Sequence, residues 1–152
     1  MASIHDNLKS FINLKMSRYI FDTLDEGILI VDHDCKVLFY NQTLTKYEGL
    51  EPRDVVGKSL FNLFPSLTPE ESTCYQVIKT GIPINGRFQR YINYVGRELQ
   101  TVNTTIPLVE NGRIAGALEV SRDMSIIISL TDKIARLQPK SALPVKSSDR
   151  SF

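Results

Sequence analysis

Apolar residues recur at every fourth position near the start of the chain: Ile4, Leu8, Ile12, Met16, Ile20 and Leu24, with Phe11 and Tyr19 widening the stripe. That spacing predicts an amphipathic helix over 4–24. The pattern then changes. "GILIVD" (27–32) and "KVLFYN" (36–41) are short β-rich runs joined by "HDC", which predicts a hairpin. Asn41 is placed to cap a helix that runs through Tyr47 and ends at Gly49. Pro52 opens a further helical turn, and "SLFNLF" before Pro65 forms another. "PEESTCYQVIKTG" predicts a longer helix with Pro69 at its first position, acids in its first turn and Gly81 at its end. Three strands follow, near 85–94, 98–109 and 113–122. The last strand runs into a helical pattern with no loop between. The order helix, two strands, short helices, three strands, helix is that of an α+β domain built on one antiparallel sheet.

The turn of the last hairpin, "VENGRI", sets which residues share a face. A two-residue Asn111-Gly112 turn and a three-residue loop with Gly112 left-handed in a bulge differ by one residue in register. That difference flips one strand's faces relative to the other's. The first choice mixes apolar and polar residues on both faces. The second separates them: Val102, Ile106, Ile114, Leu118 and Val120 on one, and Thr101, Asn103, Thr105, Ala115, Ala117, Glu119 and Ser121 on the other. Segregation favours the bulged loop. The apolar face needs a cover, either the helix 4–24 or a partner subunit. The other face looks into the domain, where Glu119 and four neutral polar residues must satisfy one another or a ligand. For an internal network, Arg87 and Arg90 are the candidate partners of Glu119.

Asp123 or Ser125 can cap the final helix, with Asp123 favoured. Ile127, Leu130, Ile134 and Leu137 then fall at heptad spacing, and Pro139 ends the helix. This seam is either a dimerising output helix or a helix folded back on its own sheet. With no loop to absorb a movement of the last strand, such a movement would pass directly into the helix.

Composition narrows the function classes. The net charge of +1 gives no basic surface for nucleic acid. The chain's 152 residues suffice for one domain with a proper core. Cys35 and Cys74 do not form a metal knuckle or a CxxC motif, and a reducing cytoplasm fits them. Cys74, beside Tyr75 and Val77 on a helical face, reads as a buried apolar residue. No signal peptide and no run of roughly twenty apolar residues is present. "VVGKS" (55–59) resembles the end of a phosphate-binding loop, but Pro52 stands where that motif needs Gly and no strand precedes it. No catalytic constellation stands out, so we expect no enzyme.

"LDEGILIVDHDCKVLFYNQTLTKYEGLEPRDVVGKSLFNLFP" resembles the first half of a PAS domain, and "GRELQTVNTTIPLVENGRIAGALEVSRDMS" its last hairpin with the closing Asp-hydrophobic-Ser. The resemblance spans roughly residues 15–125. It is strongest to the N-terminal sensors of sigma-N-dependent enhancer-binding activators of the arginine-utilisation type. It implies a five-stranded antiparallel sheet with short helices on one face and flanking helices at both ends. The divisions expected are an amphipathic helix (1–24), a PAS domain (25–123), an output helix (124–138) and a disordered linker or tail (139–152). The resemblance also implies a cytoplasmic, homodimeric sensor, either excised from a longer regulator with ATPase and DNA-binding domains or free-standing. The expected ligand is a small polar molecule on Thr101, Asn103, Thr105, Glu119 and Ser121, with a basic amino acid such as arginine or ornithine on Glu119. Output would pass through Asp123, Ile127, Leu130 and Ile134. The alternative is a ligand-free module used for dimerisation or protein interaction. Haem-binding relatives ligate iron through a His on the long helix, which has none here; His5 and His33 lie elsewhere. Covalent flavin photosensors carry a Cys that "SLFNLFPSL" lacks. Neither cofactor is expected, nor a metal.

Overall fold

In a computed structural model, residues 6, 7, 9, 10 and 15–139 are described. Ile4, His5, Leu8, Phe11, Ile12 and the expected tail from 140 onward lie outside them. The elements are α1 (Lys15–Thr23), β1 (Gly27–Asp32), β2 (Val37–Tyr40), α2 (Gln42–Glu48), α3 (Pro52–Val55), α4 (Leu60–Leu63), α5 (Thr73–Thr80), β3 (Ile84–Ile92), β4 (Glu98–Glu110), β5 (Arg113–Asp123) and α6 (Ser125–Leu137). The strands form one five-stranded antiparallel sheet in the order β2-β1-β5-β4-β3. This is the α+β architecture that the pattern predicts.

Helices α2–α5 cover one face of the sheet. Leu29, Val31, Val37, Leu44, Val55, Leu60, Cys74, Val77 and Ala117 form the core between them. Asn41 holds this corner together. Its Oδ1 accepts from Leu44 N at 3.1 Å, capping α2, and from Ile28 N at 2.9 Å. Its Nδ2 donates to the carbonyls of Phe21 and Glu26, both at 2.9 Å. Helix α5 begins later than Pro69 predicts. Ser72 is its N-cap and accepts from Tyr75 N at 3.2 Å, so Thr73 and Cys74 occupy the first turn and face inward.

The opposite sheet face is only partly covered. Ile28, Ile30 and Phe39 are buried there beneath Phe21 of α1, with the Phe21 and Phe39 rings 5.1 Å apart. Met16, Tyr19 and Ile20 of the same helix are exposed, as are Phe88, Ile92 and Ile106 toward the β3 edge. The predicted apolar stripe of α1 therefore points away from this chain, and Phe21 docks instead.

The last hairpin corrects one expectation. Its turn is the two-residue one: Asn111 and Gly112 both have positive φ, 49° and 74°, and Glu110 pairs with Arg113. Val109 still pairs with Ile114, but Leu108 pairs with Gly116, leaving Ala115 as an extra, bulged residue. Beyond the bulge Thr105 faces Glu119 and Asn103 faces Ser121. The inserted residue restores the alternation that the expected loop was to supply, so the faces separate as predicted in this part of the hairpin. Two residues depart. Ala115 lies in the bulge and is only partly buried. Ile114 turns toward the end of α5, where its Cδ1 would lie 3.3 Å from a Cβ at Gly81. Gly116 is fixed by its neighbour, since a Cβ there would sit 2.0 Å from the Val31 carbonyl oxygen.

Candidate functional site

The helix-side face of β4 and β5 gathers Thr101, Asn103, Thr105, Ala117 and Ser121, all buried, together with Glu119, whose carboxylate lies beneath α5. Alternation along each strand points these residues inward, and the register brings Thr105 opposite Glu119 and Asn103 opposite Ser121. Of the five predicted binding residues, Thr105 and Ser121 meet the Glu119 carboxylate, while Thr101 and Asn103 share its sheet face without bonding to it.

Glu119 is held by neutral donors. Its Oε2 accepts from Thr73 Oγ1 at 2.5 Å and Thr105 Oγ1 at 3.3 Å, with Cys74 Sγ at 3.9 Å. Its Oε1 accepts from Ser121 Oγ at 3.5 Å. Thr105 Oγ1 also donates to Thr73 Oγ1 at 2.9 Å. Burial pushes the carboxyl upward, and the hydroxyl hydrogen bonds pull it back. The arginines considered as partners are elsewhere: Arg90 pairs with Glu98, and Arg87 Nη1 donates to Gln76 Oε1 at 3.2 Å. The buried Cys74 thiol is likewise pushed well up, mainly by desolvation.

A second buried carboxylate, unanticipated from the sequence, lies in the same interior. Glu48 is the last residue of α2 and only 7% exposed. Its Oε1 accepts from the Tyr91 hydroxyl, and its Oε2 has no partner. Burial raises it to about 7, opposed by the Tyr91 hydrogen bond and reinforced by the charge of Glu119. Tyr40 and Tyr91 are raised too, chiefly by burial and then by the charge of Glu48. The signal was present in the sequence: Glu48 stands four residues after Leu44, which places it on the buried face of α2. Three further buried atoms lack partners, Thr45 Oγ1 on α2 and Thr101 Oγ1 and Asn103 Oδ1 on β4, while Asn103 Nδ2 donates to Gln89 Oε1 at 2.6 Å. Two clefts open elsewhere, about 410 Å³ between α1 and β2 and about 200 Å³ beside α6.

The predicted output residues lie at and beyond the end of β5. Asp123 is the strand's last residue, and Met124 rather than Asp123 occupies the helix cap position. Asp123 Oδ1 still accepts from Ser125 N at 2.9 Å, and its Oδ2 lies 3.5 Å from Arg97. Pairing with β4 continues through the junction: Met124 N donates to Gln100 O at 2.8 Å and Gln100 N to Ser125 Oγ at 3.2 Å. Helix α6 buries none of its residues. Ile127, Leu130 and Ile134 are each more than half exposed, so α6 does not fold its seam onto its own sheet. Among the described residues no helix is long and apolar enough to cross a membrane.

Comparison with known proteins sets this geometry in a family. The family model described as the PAS fold matches residues 21–126. The transcriptional activator RocR of Bacillus subtilis (strain 168) is 34% identical over 106 residues, which cover 70% of this chain and 23% of that protein. The chain thus spans about a quarter of that relative. A PAS domain from Colwellia psychrerythraea superposes with a TM-score of 0.61 at 21% identity, covering 74% of this chain and 98% of that one. A VqmA dimer from Vibrio cholerae superposes with a TM-score of 0.63 at 18% identity, covering 76% and 53%.

Proposed function

The chain belongs to the PAS fold family, and from that premise we propose that it is the sensory module of a bacterial transcription regulator. It holds a small polar ligand against Thr101, Asn103, Thr105, Glu119 and Ser121. The observation that carries this reading is the interior itself: a partly buried carboxylate with no cation paired to it among the described residues, beside buried polar atoms that have no partner. Buried charge is costly unless paired, so a cationic ligand has a physical reason to enter. A basic amino acid with its cationic end on Glu119 answers that need. Similarity to a transcriptional activator supports the regulatory role. The signal then passes from β5 through Asp123 into α6, whose exposed Ile127, Leu130 and Ile134 meet a second copy in a homodimer. An ATPase and DNA-binding output follows in the full-length cytoplasmic protein.

The second reading is a ligand-free PAS module used for dimerisation or protein interaction. It draws on the hydroxyls of Thr73, Thr105 and Ser121, which already occupy both oxygens of Glu119. Calorimetric titration with a panel of basic amino acids and polyamines separates the two. Sensing predicts binding by a basic compound and a loss of roughly ten- to a hundredfold in Glu119→Gln, the worth of one charge-assisted hydrogen bond. A variant that binds as tightly as the parent removes Glu119 from the site. The absence of any binding, with no small molecule retained in native mass spectrometry, favours the interaction module.

A further inference from the structure

We infer that Glu48 is a second anionic arm of the interior site, and that the site takes a dibasic ligand whose two cationic groups are met by Glu119 and Glu48. The inference rests on the sensory reading above and deepens it. Glu48 reaches the interior from α2, on the helix layer, whereas Glu119 reaches it from β5. Only one of its carboxylate oxygens is bonded, to the Tyr91 hydroxyl. The other is an unpartnered acceptor on a residue more than nine-tenths buried. Leaving such an oxygen without a donor is costly in a folded interior.

Among the described residues no cation answers it. Arg90 is paired with Glu98, Arg97 with Asp123 and Arg122 with Glu26, while Arg87 donates to Gln76. The unpartnered groups on the sheet are of the same kind. Asn103 offers its carbonyl oxygen because its amide nitrogen is engaged by Gln89, and Thr101 offers a hydroxyl. All the leftover atoms can accept, and only the hydroxyls of Thr45 and Thr101 can also donate, which suits a ligand rich in donors. An ammonium brings three and a guanidinium five. One cation offsets one of the two carboxylates, whereas two cations joined by a short aliphatic chain offset both. The register supplies the link: Tyr91 pairs with Leu99, on the strand face that carries Thr101, Asn103 and Thr105, and Thr105 pairs with Glu119, so the hydroxyl that holds Glu48 belongs to the same sheet face as Glu119.

The test is calorimetric titration of the chain with 1,4-diaminobutane and L-ornithine against 1-aminobutane. The dibasic compounds should bind the parent at least roughly tenfold more tightly than the monoamine, one extra charge-assisted contact. Glu48→Gln should bring them down to the parent's affinity for 1-aminobutane, with circular dichroism and cooperative urea unfolding showing that the variant is folded. The comparison of mono- and dibasic compounds on the parent stands even if the variant does not fold. Equal affinities for 1-aminobutane and 1,4-diaminobutane overturn the inference. So does a Glu48→Gln variant that binds 1,4-diaminobutane like the parent. In both cases a loss in Glu119→Gln leaves the sensory reading intact. Binding by none of these compounds overturns both.

Discussion

Replacing Glu48 by Gln should make the ligand-free protein more stable at pH 8 than its parent, by an amount that vanishes in acid. The unfolded chain holds this carboxyl at its ordinary value of 4.5, and the folded chain holds it at about 7. Below pH 4.5 both states carry the proton and the difference has no effect. Between 4.5 and 7 the folded state keeps a proton that the unfolded state releases, so stability falls as pH rises. Above 7 the carboxylate is ionised in both, and the full cost of burying it is present. At about 1.4 kcal/mol per pH unit, the interval from 4.5 to about 7 sets a ceiling near 3 kcal/mol. The groups facing Glu48 are Tyr91, Tyr40 and Glu119. The tyrosines are raised out of this range, and Glu119 is present in both proteins, so the comparison reads Glu48 together with its coupling to Glu119. Glutamine keeps an oxygen for the Tyr91 hydroxyl and cannot ionise. Urea unfolding of both proteins at pH 4.5, 6 and 8 measures the effect. The stability difference should grow in favour of the variant by about 2–3 kcal/mol across this range, with unchanged denaturant slopes. Two curves that stay parallel from pH 4.5 to 8 refute the reasoning, because Glu48 would then titrate alike in the folded and unfolded states.

Two further outcomes concern assembly and output. Deleting residues 1–20 removes the exposed Met16, Tyr19 and Ile20 and should turn a dimer into a monomer by light scattering; a stable dimer from the truncated chain shows that this helix is not the interface. In a regulator carrying its output domain, Leu130→Glu should uncouple the signal while leaving the PAS fold intact, because Leu130 is more than half exposed; unchanged signal-dependent transcription counts against α6 as the lever.

Most of the fold was legible because its signals are local. Asn41 before an apolar run, Gly49 and Gly81 at helix ends and two-residue alternation in β4 each declare themselves within a few residues. The hairpin shows the limit. Asn-Gly is the strongest two-residue turn signal, yet it gave mixed faces, and the alternation pointed to a longer loop. The protein keeps the tight turn and corrects the phase with a bulge at Ala115, where Gly116 lets β5 approach the backbone of β1. Nothing within the hairpin announces that contact. The start of α5 was misplaced for a similar reason, since Pro69 suits a first turn but Ser72 supplies the cap. Glu119 was legible through strand parity. Glu48 was legible only in its spacing from Leu44, a signal outweighed because a carboxylate near a helix end ordinarily reads as a solvated charge; its hydroxyl partner, Tyr91, stands forty-three residues away.

The position of Glu48 also bears on how an event inside could leave the domain. Its neighbour Tyr47 donates its hydroxyl to the carbonyl of Asp25 at 2.6 Å and accepts from Asp123 N at 3.4 Å. Asp25 lies between α1 and β1, and Asp123 is the last residue before the α6 junction. The backbone at this turn is held as well: Tyr47 O accepts from Asn93 Nδ2 at 2.7 Å, and Glu48 O accepts from Tyr94 N at 3.0 Å. One helix end therefore touches the interior through Glu48 and both flanking junctions through Tyr47. Each of the two adjacent residues is tied through backbone as well as side chain. A hydrogen-bonded connection thus runs from the turn at Glu48, through its neighbour Tyr47, to the residues that precede β1 and end β5. The sheet offers a second path, through Gln100, Met124 and Ser125. Both connections meet at the end of β5, where the chain enters α6 through Met124 alone.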